Sequence, residues 1–245
     1  LFCQITTKMT KQYKRAFRVN VDYLNDKRYC SVHSLLKTGN LFGAEMLYDI
    51  IPNELDLFDY DTYNKNESNF YVVITDINTG KPEYVKIGDL KKDIIYVRAS
   101  SSLPLLAQNV KINDKEYLDG GISDSIPIKK SIADGNKKNV VILTRDNTYR
   151  KGKNSLMPII KLKYKKYPNF VKSMADRYIV YNEILDFIKE LEDNGDVFVI
   201  RPKKPVNIGR TEKNREKLEA LYNDGYNDAK DCYEELLKYL GKENL

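Results

Sequence analysis

Three short runs of β-branched and aromatic residues limit the folds that this chain can adopt. They occupy residues 70–75, 139–144 and 197–200. Each run is nearly continuous rather than alternating, which is typical of strands covered on both faces, as in a parallel sheet. Residues 171–188 lie between the last two runs and carry apolar side chains at three- and four-residue spacing, the pattern of an amphipathic helix. This alternation predicts an α/β fold with a mostly parallel sheet and flanking helices.

Turn-forming residues separate the remaining strand patterns. Residues 78–82 include Asn, Gly and Pro, and a strand pattern resumes at 83–87. Residues 109–112 and 116–118 flank a second turn sequence and together predict a hairpin.

Composition limits the compartment and the partners. The 245 residues are 42% hydrophobic and 31% charged with a net charge of +6, which allows a buried core and a mild preference for anionic surfaces. Nucleic-acid-binding proteins usually concentrate cations more sharply, so no nucleic-acid partner is expected. Cys3, Cys30 and Cys232 are far apart and share no paired spacing, which favours a reducing compartment and a cytoplasmic location. No apolar run approaches the roughly 18 residues that suggest a membrane-spanning helix.

The single histidine and the missing cofactor motifs exclude several mechanisms within this sequence. A Ser-His-Asp triad would have to use His33, which stands in a polar stretch without a catalytic motif. HExxH, Walker A and GxGxxG patterns are absent, so zinc-protease, phosphate-loop and dinucleotide sites have no support. We therefore expect no metal and no cofactor, and we interpret His33 as a surface or structural residue.

Asp119 is the strongest candidate for chemistry. It follows two apolar residues at the end of a predicted strand, and Gly120 and Gly121 come directly after it. The apolar neighbours predict partial desolvation, which makes a carboxylate more basic, and the glycines permit a positive φ and close backbone approach. The serine-rich segment 99–104 is predicted to pack under the same turn. The same residues also describe an ordinary strand-ending turn, so both interpretations stay open at this point.

The segment 97–104 (Val-Arg-Ala-Ser-Ser-Ser-Leu-Pro), followed by Asp119-Gly120-Gly121, resembles the patatin-like phospholipase family, and most closely its bacterial branch. Further segments carry the resemblance in the same order along the chain: 27–29, 34–39, 79–84, 166–168 and 198–202. Because these separated motifs occur in order, the resemblance covers essentially the whole chain, including its helical tail.

The resemblance implies a serine acyl hydrolase with a Ser-Asp dyad and no catalytic histidine. In the family the serine lies in a GxSxG turn, a glycine-rich loop forms the oxyanion hole, and the aspartate of a DG[GA] motif is the base. Only Asp119, Gly120 and Gly121 map onto this sequence, and neither the GxSxG turn nor the glycine-rich loop is present. We therefore expect the nucleophile upstream of Leu1, and residues 1–16 to be the end of a helix that follows it.

The leading hypothesis is a lipid acyl-ester hydrolase for lipid degradation, truncated at its N-terminus. The 245-residue chain by itself would be inactive, because the nucleophilic serine is absent. Residues 1–146 would be the C-terminal portion of the patatin-like domain, and residues 147–245 a mainly helical region with one added strand. In that region Asn194-Gly195 is the predicted stop of the helix containing 171–188, and two further helices are predicted at 212–222 and 226–240. The alternative is a non-catalytic lipid- or protein-binding module that keeps the fold without the chemistry. A GxSxG turn in the intact reading frame would distinguish the two.

The stretch 161–170 interleaves lysines with aromatic residues. One interpretation is peripheral contact with an anionic membrane surface. A solvated basic surface is the interpretation that the sequence favours. Stacking on single-stranded nucleic acid is a weaker third.

Overall fold

The computed structural model describes residues 12–242, which form two compact units. The first unit contains the residues up to 125 together with 154–177, and the second contains 126–153 together with the residues from 178 onward. Each unit has its own sheet and its own apolar core.

The secondary structure is mixed. In chain order the described elements are α1 (Tyr13–Val21), α2 (Val32–Thr38), a π-helix (Met46–Leu55), α3 (Tyr60–Lys65), β1 (Phe70–Asp76), β2 (Pro82–Ile87), α4 (Ile94–Ser100), β3 (Val110–Ile112), β4 (Lys115–Asp119), a 3-10 turn (Gly120–Ile122), α5 (Ile128–Ala133), β5 (Asn139–Ile142), α6 (Met157–Lys163), α7 (Pro168–Asp193), β6 (Val197–Ile200), α8 (Arg215–Asp231) and α9 (Tyr233–Leu240). The helix end predicted at residues 1–16 falls mostly outside the described residues, and its described part belongs to α1.

The sheet of the first unit is antiparallel, which corrects the prediction of a mostly parallel sheet. Its strand order is β2-β1-β4-β3, and every neighbouring pair runs antiparallel. Short turns join β1 to β2 and β3 to β4. A short turn reverses the direction of the chain, so the strands that it joins are antiparallel. Parallel neighbours would need a crossover connection of about a dozen residues or more. Gly80 and Asn113 supply the left-handed backbone of these turns, with φ of +67° and +53°. The continuous apolar run of β1 therefore signals burial and not strand direction.

The second unit contains the parallel pair that the sequence predicts. Strands β5 and β6 pair in parallel, from Asn139 opposite Val197 to Ile142 opposite Ile200. They pack on α5 and on the second half of α7 through one apolar cluster. The buried members of that cluster are Ile128, Val141, Leu143, Ile184, Ile188 and Val197.

The mainly helical tail also appears, with one boundary moved. Helix α7 ends at Asp193, next to the predicted stop, and Gly195 adopts a φ of +77°. The two helices predicted at 212–222 and 226–240 are instead divided at Cys232. Gly225 remains inside α8, because an interior glycine costs a helix only about 1 kcal/mol and neighbouring turns outweigh it.

Two apolar clusters hold the end of β4 in the first unit. One lies under the sheet and includes Val72 and Ile74 of β1 with Val97 of α4. The other joins Leu118 and Ile122 to residues of α6 and α7. The residues immediately before and shortly after Asp119 are thus core residues, which fixes the position of the turn between them.

Tyr63 gives the first unit a pH-dependent stability. It is 3% exposed, and its hydroxyl donates to the carbonyl of Ile87 at 3.3 Å. Burial raises the pKa of Tyr63 to about 12, and the charge of Asp93 adds to the effect. An unfolded tyrosine has a pKa of about 10, so this stabilisation is complete below about pH 10 and is lost as the pH rises toward about 12.

We expect Tyr63→Phe to flatten this alkaline loss. The free energy of unfolding of the wild type should fall by up to about 3 kcal/mol more than that of the variant between about pH 10 and 12. Urea unfolding at a series of pH values measures both curves, with the exposed Tyr13→Phe as the matched control. Parallel curves for wild type and Tyr63→Phe would contradict the prediction.

Candidate active site

Asp119 is the last residue of β4, and its backbone is held on both sides. Its N–H donates to the carbonyl of Ser102 at 2.9 Å, and its own carbonyl accepts the hydroxyl of Thr75 at 2.8 Å. It lies opposite Ile74 in the register of β1. The contact with Ser102 places the serine-rich segment 99–104 directly beside Asp119, as the sequence predicts.

The carboxylate of Asp119 starts the turn that follows it. Its Oδ1 accepts the backbone N–H of Gly121 at 2.7 Å and so caps the 3-10 turn. The side chain is half-buried. A carboxylate oriented by the main chain in this way has a defined direction before any substrate binds.

Gly120 is required by crowding rather than by a left-handed backbone, and Gly121 is crowded less severely. A Cβ on Gly120 would lie 1.9 Å from the carbonyl oxygen of Val73 in β1. A Cβ on Gly121 would lie 3.0 Å from Asp119 Oδ1 and 3.3 Å from Arg177 Nη2. The described glycines with positive φ are Gly39, Gly80, Gly135, Gly195 and Gly241. Gly120 therefore uses the close backbone approach that glycine permits, and neither Gly120 nor Gly121 adopts the positive φ that glycine also permits.

Arg177 of α7 borders the same turn, and sequence reasoning missed it. Its Nε donates to the carbonyl of Gly121 at 2.6 Å, across 56 positions of sequence. The hydroxyl of Ser125 donates to the same carbonyl at 2.6 Å. Both polar backbone groups of Gly121 are thus held by side chains, its N–H by Asp119 and its carbonyl by Arg177 and Ser125.

We expect Arg177→Ala to lower the free energy of unfolding by about 1.5–3 kcal/mol, because a half-buried carbonyl loses a charged donor. Arg177→Lys should be nearly as damaging, since an ammonium on a flexible stem does not reproduce the Nε geometry. Urea unfolding measures the change, and Lys172→Ala, at an exposed position on the same helix, is the control. Equal stability of wild type and Arg177→Ala would show that the contact is unimportant.

Tyr48 is a second residue that the sequence did not signal. It lies in the π-helix, and its hydroxyl is 2.5 Å from Ser101 Oγ. Burial raises the pKa of Tyr48, and the negative charge of Asp119 adds to that rise, while Ser101 and Arg98 act in the opposite direction. The phenol therefore keeps its proton at neutral pH and remains a hydrogen-bond donor near the carboxylate.

A small cavity lies beside Tyr48 and the serine-rich segment. Its volume is about 30 Å³, and Arg98, Ser101, Ser102 and Leu106 line it. That volume admits a water molecule and is far too small for an acyl chain.

His33 is exposed on α2, which confirms its interpretation as a surface residue. Within residues 12–242, no group of three or more His, Cys, Asp or Glu side chains could hold a metal ion. No helix in the described part of the chain is long and apolar enough to cross a membrane.

Comparison with known proteins decides the family. A family model described as patatin-like phospholipase matches residues 8–131, half of the chain. The chain belongs to the patatin-like phospholipase family. The resemblance seen in the sequence is thereby confirmed, and the matched region contains Asp119, Gly120 and Gly121. A second model, of a domain of unknown function called DUF6363, matches residues 167–241.

A second comparison finds a curated relative that is only partly covered by this chain. The uncharacterised protein YjjU of Escherichia coli strain K12 is 25% identical over 207 residues. The match covers 78% of this chain and 54% of YjjU, so the chain spans about half the length of this relative.

Proposed function

We propose that this chain supplies Asp119 as the base of a Ser-Asp dyad in a lipid acyl-ester hydrolase. One observation carries the proposal. The carboxylate of the family's DGG sequence stands at the end of a buried strand, with Oδ1 held by the N–H of Gly121 at 2.7 Å. The apolar clusters on either side of the turn keep it in place. The serine that this base serves lies outside the 245 residues, because the sequence contains no GxSxG turn.

In the first half of the reaction, the serine hydroxyl gives its proton to the Asp119 carboxylate, directly or through one water. The serine oxygen attacks the ester carbonyl carbon, and the bond from that carbon to the alcohol oxygen breaks. The departing alcohol takes the proton back from Asp119. The product of this half-reaction is an acyl-serine.

In the second half, Asp119 accepts a proton from a water molecule whose oxygen attacks the acyl carbon. The bond to the serine oxygen breaks, the proton returns to that oxygen, and a fatty acid leaves. Backbone N–H donors that stabilise the oxyanion contribute about 3 kcal/mol each to such reactions. The family's glycine-rich loop, which would provide these donors, is not in this sequence.

We expect the 245-residue chain alone not to hydrolyse short-chain esters, because it contains neither the serine turn nor the oxyanion loop. Release of p-nitrophenol from p-nitrophenyl butyrate measures this, with the Asp119→Asn chain at equal concentration as the baseline. Turnover by the wild-type chain that Asp119→Asn abolishes would contradict the prediction.

A fluorophosphonate probe tests the proposal on the whole protein. If the proposal holds, the probe labels a serine outside these 245 residues, and labelling is slower in the Asp119→Asn variant. A folded whole protein that does not label would overturn the proposal and leave the non-catalytic binding module as the function.

A further inference from the structure

The outward side of α6 is unusually apolar. The helix buries Ile160, and Tyr164 continues the buried side after the helix ends. On the other side, Leu156, Ile159 and Leu162 are 49%, 53% and 73% exposed. A surface helix normally turns polar residues outward, so three adjacent exposed aliphatic side chains mark an interaction surface.

Positive charge is concentrated around the same helix. Residues 154–175 contain five lysines and no acidic residue, while the whole chain has a net charge of only +6. All five are exposed, and four of them, Lys161, Lys163, Lys165 and Lys166, lie in α6 or directly after it. None of the four forms an ion pair within the part of the chain that the structure describes. Their charge is available to an anionic partner.

Two of the cations flank the exposed pair Ile159 and Leu162. At about 3.6 residues per turn, Lys161 and Lys163 fall on opposite sides of Ile159 and Leu162. Lysine side chains at such edges extend their stems along an apolar surface and place their ammonium groups in the polar layer above it. This is the arrangement of a helix that lies in the plane of a membrane interface.

We propose that this surface, defined as Leu156, Ile159 and Leu162 with Lys161, Lys163, Lys165 and Lys166, docks onto an anionic lipid bilayer. The apolar strip enters the boundary between headgroups and acyl chains, and the lysines contact the acidic headgroups. The surface does not include Asp119, so the inference does not depend on the proposed catalytic role.

The structure weighs against the other partners of this stretch. Stacking on nucleic acid needs exposed aromatic rings, yet Tyr164 and Phe170 are buried against each other with ring centroids 4.8 Å apart. The third aromatic residue, Tyr167, is half-buried, and its hydroxyl donates to Glu116 at 3.1 Å. A second copy of the chain would bring two surfaces of the same positive charge together, which is unfavourable. A merely solvated basic surface does not account for the three exposed aliphatic side chains.

Vesicle co-sedimentation of the 245-residue chain tests the proposal. Vesicles of phosphatidylcholine are compared with vesicles of equal parts phosphatidylcholine and phosphatidylglycerol, at low and high salt. We expect binding to the anionic vesicles to be at least ~100-fold stronger and to weaken with salt, since each lysine near such a surface contributes roughly a five-fold gain. Asp119→Asn should bind like the wild type, which separates this surface from the catalytic proposal.

Two sets of variants identify the surface. Replacing the four lysines by glutamine should lower binding to anionic vesicles by ~100-fold or more, and Ile159→Ser with Leu162→Ser should lower it by at least about ten-fold. The matched controls are Leu36→Ser, an 83% exposed leucine on α2, and Lys86→Gln with Lys111→Gln on the sheet. These controls should bind normally, and circular dichroism confirms that each variant is folded.

Three results would overturn the proposal. The first is equal binding to both kinds of vesicle, and the second is normal binding by the four-lysine variant. The third is self-association or RNA binding that requires Ile159 and Leu162 while vesicles are not bound, as measured by sedimentation velocity and by a gel-shift assay.

Discussion

Asp119→Asn in the whole protein is expected to lower kcat for ester hydrolysis by about 10²–10⁴-fold, the usual contribution of a general base. The amide has nearly the same shape as the carboxylate but cannot accept the serine proton. Its carbonyl oxygen can still accept the N–H of Gly121, so the turn and the fold should survive. KM should change little, because the lost interaction belongs to proton transfer and not to substrate binding.

The control for this experiment is a carboxylate on the same turn. Asp124 accepts the hydroxyl of Tyr84 at 2.6 Å. Burial raises the pKa of that phenol, and the hydrogen bond to Asp124 adds to the rise. We assign Asp124 no proton transfer, so Asp124→Asn should retain most of the activity. Steady-state kinetics with a short-chain ester measure both variants, and circular dichroism confirms folding. If Asp119→Asn keeps more than about a tenth of the activity, Asp119 is not the base.

Gly120→Ala is expected to destabilise the first unit by about 3 kcal/mol or more, at or above the upper end of the usual cost of overpacking. The new Cβ would lie 1.9 Å from the oxygen and 2.3 Å from the carbon of the Val73 carbonyl. Both atoms are backbone of β1, so relief requires β1 and β4 to separate. A loss of this size is a large part of the roughly 5–15 kcal/mol that stabilises a typical domain.

Thermal unfolding followed by circular dichroism measures this effect. Gly209→Ala is the matched control, because its Cβ would meet nothing within 4 Å. Gly121→Ala should fall between them, since its contacts at 3.0 and 3.3 Å are with the ends of the Asp119 and Arg177 side chains. A Gly120→Ala protein that melts with the wild type would show that β1 does not crowd this turn.

The antiparallel sheet of the first unit shows that strand direction could not be predicted from the sequence. The turn sequences around Gly80 and Asn113 predicted where the chain reverses. The run at residues 70–75 predicted a strand covered on both faces, and it is mostly buried except for Tyr71, which is 47% exposed. The run at residues 139–144 was predicted to be covered in the same way, and this was wrong for β5, whose residues alternate between buried and exposed. The parallel direction was inferred from the apolar runs and their alternation with helices, and this inference was wrong for the first unit. Burial on both faces is a property of one strand, whereas direction depends on which strand becomes its neighbour.

The neighbours of Asp119 show the same limit. The DGG turn was visible because a strand end, an acidic residue and two glycines are consecutive in the chain. Tyr48 and Arg177 were not, because they reach the site from distant helices, with contacts spanning 53 and 56 positions. Sequence patterns of a few residues contain no information about such contacts.

The stretch 161–170 and the neighbouring Ile159 show the same difference between what the sequence predicts and what the fold decides. Its composition predicted a cationic, aromatic segment and left three partners open. Only the fold decided that Tyr164 and Phe170 point into the core while Ile159 and Leu162 face outward.

The sequence by itself determined the strand-forming runs, the reversals of the chain, the family and the place of Asp119 at the end of a strand. Only the tertiary structure decided strand direction, the side chains that hold Gly121 and the outward side of α6. The physical reason is range: turn and burial preferences act over a few residues, whereas pairing and packing minimise the free energy of the whole unit.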